Sequence, residues 1–268
     1  MWSISDMKER GWAWVRSMYG AAYLACLAVF IVDNLMDEKM NPLLPVHLGN
    51  SYLEHLHTAG LLQALLLIIS FSAVACTVGL LGIFFKFLVA NPIAVGINRY
   101  FLASREQGEP AGLGTVASIF FGKGYWNVVK IMFFRDLYTF LWTLLLFIPG
   151  IYKGLEYRMI PYLLAEDPEL PQREAFAQTK RLMEGNRVKS FLLDLSFIGW
   201  NLLAAIVGSI LVKLLKGLLW AGFFWITLWV QGMVTLLVSP YSHAAWTELY
   251  CWLNHRPEVF DENGDSVY

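Results

Sequence analysis

The chain reads as an all-α membrane protein: a polytopic transmembrane helical bundle of about six membrane segments in three hairpins, with amphipathic interfacial helices. Three observations predict this. Leu61–Phe85 and Gly217–Val238 carry no charge at all, and Phe191–Val212 carries only Asp194. A helix needs about 20 apolar residues to cross a hydrocarbon core of about 30 Å. Of 268 residues, 57% are hydrophobic and 15% charged, where soluble domains carry about 25% charged residues. Lysine and arginine, finally, gather in some loops and avoid others.

The segments follow in order. The leader Met1–Ser17 mixes acids with Lys8, Arg10 and Arg16 and lacks a small-residue cleavage site after its apolar run, so it is not expected to act as a signal peptide. Segment 18–32 is uncharged. The loop at 33–58 holds Asp33, Asp37, Glu38 and Glu54 against Lys39 alone, and segment 61–88 follows it. Residues 86–135 then bring Lys86, Arg99, Arg105, Lys123, Lys130 and Arg135, and residues 166–190 bring Arg173, Lys180, Arg181, Arg187 and Lys189. Basic loops remain cytoplasmic, which puts the leader and both basic loops inside and the Lys39 loop outside.

A single crossing by Leu137–Tyr152 would force one basic loop outside. A hairpin removes the conflict: out through 126–148, a turn at Pro149-Gly150, and back through 150–165. A re-entrant hairpin that never fully crosses satisfies the charges equally well. Segments 191–212 and 217–238 form the last pair. Both termini are then cytoplasmic, and the acidic tail 256–268, with Pro257 and Gly264, is expected to be disordered. Tryptophan and tyrosine at segment ends (Trp12, Tyr19, Tyr100, Trp126, Tyr241, Trp246) are expected to anchor at the headgroups.

The three pairs resemble one another. Each is entered through a Gly-containing stretch: Glu9-Arg10-Gly11-Trp12, Gly122-Lys123-Gly124-Tyr125-Trp126 and Glu184-Gly185-Asn186-Arg187. Each return leg reaches a proline: Asn91-Pro92, Ile160-Pro161 and Ser239-Pro240. Proline lacks a donor and restrains the residue before it, which suits a bend into the interface. Pro171–Lys189 and Ser3–Arg16 read as amphipathic helices, lying on anionic headgroups or packed against the inner ends of the bundle.

Residues 91–253 carry further phrases: Asn-Pro-x3-Gly-x-Asn-Arg-Tyr-Phe at 91–101, Tyr-Arg-Met-x-Pro-Tyr-x-Leu-Ala-Glu-Asp-Pro at 157–168 and Leu-Asp-Leu-Ser-Phe-Ile-Gly-Trp at 193–200. In these the chain resembles the bacterial integral membrane family known as domain of unknown function 975. The resemblance implies a multi-pass protein of the bacterial cell (cytoplasmic) membrane. It supplies no catalytic residues to carry over.

Ionisable residues within membrane segments are expensive and are functional candidates by default. Six stand out as an intramembrane polar cluster: Arg135, Asp136, Lys153, Glu156, Arg158 and Asp194. Lys153 and Glu156 are spaced to pair on one helix face, Arg135 lies at a depth where it could reach Asp194, and Arg158 can snorkel to the headgroups. The cluster either binds a headgroup or relays an ion, or it locks helices together; the locking role is the simpler one. His47, His55 and His57 with Glu54 lack the further ligands a metal site needs and read as a solvated loop. Cys26, Cys76 and Cys251 have no metal-like spacing and read as small hydrophobes.

No phosphate loop, zinc helix, nucleophile elbow or dinucleotide fingerprint is present, so no catalytic, metal or cofactor-binding residue is assigned. A net charge of −1 gives no basic surplus for nucleic acid. The expected partners are the lipid bilayer, and with it anionic headgroups or a partner membrane protein. The expected function is that of a non-enzymatic membrane factor. A small-solute or lipid transporter is the alternative, on the strength of the Pro-Gly-broken segment and the charges within the spans. An intramembrane enzyme ranks third.

Overall fold

The structure, a computed structural model, describes residues 2–34, 61–218, 232 and 236–254. The loop carrying the three histidines and Glu54, most of segment 217–238, and the acidic tail lie outside the described residues. Every regular element described is helical: α1 (Ile4–Val15), α2 (Tyr19–Asn34), α3 (Leu61–Phe85), α4 (Asn91–Gln107), α5 (Gly114–Phe121), α6 (Tyr125–Leu145), α7 (Phe147–Glu156), α8 (Ile160–Glu166), α9 (Gln172–Met183), α10 (Arg187–Leu218) and α11 (Ser239–Asn254).

Among the described residues, three helical runs are long and apolar enough to cross a membrane: Ile4–Val32, Gly79–Gln107 and Arg187–Ile210. Their surfaces agree with that reading. Along α10, Ile198, Trp200, Leu202, Leu203, Ile206 and Ile210 are exposed, a large apolar surface that water would not tolerate and lipid accepts.

The chain forms two compact units, Phe30–Asn91 and Met1–Val29 with Pro92–Tyr268. The first contains α3, uncharged over its 25 residues, with Leu65, Ile69, Leu81 and Phe84 exposed. A π-helical turn, Lys86–Ala90, follows α3 and precedes Pro92. Proline cannot donate to the carbonyl four residues back, and a widened turn is one way a helix absorbs that missing bond.

The second unit has a dense core, and that core is made of the proline-led helices. Pro92, Pro161 and Pro240 are each the second residue of a helix, in α4, α8 and α11; at Pro161 and Pro240 the missing N–H falls in a first turn and has no partner to lose. Ile160–Ala165 of α8 and Ala244–Cys251 of α11 are buried without interruption, as are Tyr100 and Phe101 of α4. Phe101 stacks on His243 with ring centroids 5.1 Å apart, and Tyr162 stacks on Tyr250 at 5.2 Å. Tyr100 and Trp246, expected as headgroup anchors, are therefore core residues; Trp126 is exposed as expected.

Each of these three helices meets another, and for α8 and α11 that partner is amphipathic. Gly96 of α4 lies against the Val116 carbonyl of α5. α8 packs on α9, and α11 packs on α1. On α1 the contact stripe is Met7, Gly11 and Val15, and on α9 it is Ala175, Thr179 and Met183, four residues apart in both cases. The amphipathic segments of the leader and of residues 171–189 thus pack against the protein's own helices. Ser3 caps α1 by accepting from the Asp6 N–H at 3.1 Å.

Between α6 and α7 the break falls at Leu146, which is extended (φ −156°, ψ 135°), three residues before the expected Pro149-Gly150 turn. Pro149 instead lies inside the first turn of α7, where its lack of a donor is harmless. α7 folds back along α6 with Gly150 against Thr143 and Gly154 against Thr139. Small residues four apart let the two backbones approach closely.

Candidate functional site

The six ionisable candidates are distributed over three ion-paired groups. Arg135 pairs with its neighbour Asp136, its Nη2 lying 2.6 Å from Oδ1. Arg158 donates to Asp194, with 2.7 Å between Nη2 and Oδ1, and its guanidinium lies 4.0 Å over the Trp246 ring. Arg135 therefore does not reach Asp194, and Arg158 does not snorkel: a partner 36 residues away in sequence and an indole from α11 hold it instead.

The third group is centred on Glu156, 3% exposed and at the C-terminal end of α7. Lys153 donates to both of its carboxylate oxygens at 3.1 Å, the local pair expected from the spacing. Arg187, the first residue of α10, approaches Oε2 at 3.5 Å. Its guanidinium also lies 4.6 Å over the Tyr152 ring and donates to the Tyr152 hydroxyl. Thr179 of α9 donates to the Glu156 carbonyl at 2.9 Å. Glu156 thus ties three helices together, α7 to α10 through its carboxylate and α7 to α9 through its backbone carbonyl. Arg187 was visible in the sequence only as one of several loop cations; nothing in its spacing singles it out.

Further polar links were not foreseen from sequence. Arg105 of α4 donates to Glu248 of α11 through Nε at 2.5 Å and Nη2 at 3.1 Å, a bidentate pair on a carboxylate otherwise enclosed. Tyr250 donates to Glu166 at 2.7 Å, and Asn254 donates to the same oxygen at 3.2 Å. Burial and that carboxylate raise the Tyr250 hydroxyl well above the ordinary tyrosine value. The Trp2 indole donates to buried Asn186 at 2.8 Å. Asn127 holds the connection between α8 and α9 through the Pro168 and Leu170 carbonyls at 2.9 and 2.8 Å.

Burial, and after it the Arg158 charge, lowers His243 from 6.5 to about 4. Above the unfolded value the ring is neutral in both states. As pH falls from about 6.5 towards 4 the unfolded chain takes up a proton that the folded chain refuses, so stability drops through that window. Melting wild type and His243→Gln in detergent between about pH 7 and pH 4.5 tests this. The variant should lose part of the wild-type slope, and identical slopes would contradict the assignment.

Lys8, Ser5, Glu9 and Trp12 of α1 face a groove of about 530 Å³ completed by Tyr19, Trp200, Leu237, Val238 and Tyr241. Lys8 Nζ donates to Ser196 at 3.2 Å and stands 4.6 Å over the Phe197 ring. Trp12 meets Tyr241 edge-on at 5.5 Å and Tyr19 at 6.0 Å. Among the described residues no group of three His, Cys, Asp or Glu side chains could hold a metal ion. Cys26 and Cys251 are buried thiols and Cys76 is exposed.

Over the described residues, fold and site together define an all-helical protein with three helices of membrane-crossing length and a buried layer of proline-led helices closed by internal ion pairs. The family described as "Protein of unknown function (DUF975)" matches residues 84–255, and the chain belongs to it. No curated protein and no solved structure matches the chain.

Proposed function

We propose that this chain is a non-enzymatic factor of the bacterial cytoplasmic membrane, with both termini in the cytoplasm, that acts by associating with lipid. One observation carries the reading. The charged side chains of the predicted intramembrane cluster are matched to one another and to Arg187, as Arg135–Asp136, Lys153–Glu156–Arg187 and Arg158–Asp194, while many large side chains left at the surface are apolar. A carrier places ionisable groups where a solute can reach them in turn; here they serve as fasteners between helices.

The α6–α7 pair supports a shallow mode of insertion. The ten residues of α7 rise about 15 Å, half of a hydrocarbon core of about 30 Å. Val128, Ile131 and Met132 keep the start of α6 in the buried layer. The tip, Leu144–Ile148, is strongly exposed and wholly apolar, with Ile148 at 80%. We read it as a re-entrant wedge.

Two measurements test these readings. In proteoliposomes the protein should move no solute down an imposed gradient, and Asp194→Asn should alter its stability without creating or abolishing flux. A flux abolished by Asp194→Asn would establish the carrier instead. In intact cells, Ile148→Cys in a background lacking Cys26, Cys76 and Cys251 should resist an impermeant maleimide. Labelling from outside would show a full crossing.

A further inference from the structure

We infer that the groove between α1, α10 and α11 is a binding site for a zwitterionic phospholipid, its phosphate on Lys8 and its ammonium toward Glu9 and the aromatic wall. The inference rests on the lipid-association reading and gives it an address.

The groove has the chemistry of a lipid's polar end and the beginning of its tails. Lys8 has a hydroxyl and two aromatic faces around its ammonium, Ser196 at 3.2 Å and the rings of Phe197 and Tyr241 at 4.6 and 5.9 Å. Among the described residues no carboxylate lies within ion-pair distance of it, whereas Lys153, Arg105, Arg135 and Arg158 each have one. A cation held in a recess by neutral partners keeps its attraction for an anion, and phosphate is the anion a bilayer offers at this level.

Glu9 decides which phospholipid. It follows Lys8 on α1 and lines the same groove. One fixed positive and one fixed negative charge complement a headgroup that carries both signs, and they penalise one that is only anionic. Trp12 and Trp200 line the same groove, and indole rings attract an ammonium.

Position completes the case. The adjacent stripe of α1 (Met7, Gly11, Val15), about 100° around the helix, is buried against α11, and the stripe bearing Ser5, Lys8, Glu9 and Trp12 lines the groove beside that seam. The walls at Trp200 and Leu237 are exposed, at 54% and 50%. In a chain whose exposed apolar surface faces lipid, these walls open the groove sideways to acyl chains. Its volume of about 530 Å³ lies within the range of small-molecule sites.

The test is native mass spectrometry of the detergent-purified full chain with an equimolar mixture of dioleoyl phosphatidylethanolamine, phosphatidylglycerol and phosphatidylcholine. Wild type should retain the two zwitterionic lipids, phosphatidylethanolamine and phosphatidylcholine, at least about fivefold over phosphatidylglycerol, a difference of about 1 kcal/mol. Lys8→Met should lower retention about tenfold, and Lys8→Arg should restore it, which separates a binding role from a folding one. Glu9→Gln, on an exposed position, should shift preference to phosphatidylglycerol.

Equal retention by wild type and Lys8→Met would overturn the site while leaving lipid association standing. A wild-type preference for phosphatidylglycerol would overturn the headgroup assignment. A wild type that retains no phospholipid at all would overturn both the site and the function proposed above.

Discussion

Glu156→Ala should be the most damaging single substitution among the charged residues, lowering stability by about 3 kcal/mol or more. The carboxylate is 3% exposed and takes two cations, Lys153 and Arg187, from two different helices. Removing it leaves two neighbouring positive charges facing each other with little water to solvate them, which is the expensive half of breaking a buried pair. Glu156→Gln keeps the shape and one acceptor and should fall between. Thermal unfolding in detergent, followed by circular dichroism, measures both. Lys153→Met together with Glu156→Leu should recover much of the loss, since removing charge on both sides lessens the imbalance that Arg187 is left with. A Glu156→Ala protein that melts with wild type would show that this carboxylate is not the fastener described.

Gly11→Ala is the second large effect. A methyl group there would meet the Ala245 amide nitrogen at 2.7 Å and the Ala244 carbonyl carbon at 2.9 Å. These are backbone atoms of α11, which cannot rotate away as a side chain could. The two helices must separate, and overpacking of this kind costs about 1–3 kcal/mol. Gly20→Ala is the control, because nothing lies within 4 Å of its added methyl. It should be neutral or slightly stabilising, as alanine favours a helix over glycine by about 1 kcal/mol. If both variants melt alike, α1 and α11 are not in contact as described.

Much of the helical outline was legible because it depends on local composition. The uncharged run Leu61–Phe85 is the helix α3, and segment 191–212 lies inside α10. The Lys153–Glu156 pair was equally legible, since residues three apart on a helix are neighbours whatever surrounds them.

What failed to show was decided by tertiary packing. Arg158 reads locally as a residue free to reach the headgroups, but Asp194 and Trp246 arrive from helices far along the chain. The prolines were readable as punctuation. That the helices they begin form the buried centre was not, because they acquire their burial from tertiary neighbours, Ile160–Glu166 from α9 and α11 and Ser239–Asn254 from α1, α4 and α8. Leu146 rather than Pro149 breaks the hairpin because proline is tolerated in the first turn of a helix, so its presence there does not locate the bend.

The docking of α1 on α11 has a consequence for how the protein is made. Translation releases α1 first and α11 last among the helices described. Until residues 239–254 emerge, the Met7–Gly11–Val15 stripe has no lid, and the helices before them must form with this seam still open. A nascent chain stalled or cut before Ser239 would carry a naked apolar edge, a ready signal for the proteases that clear unfinished membrane proteins.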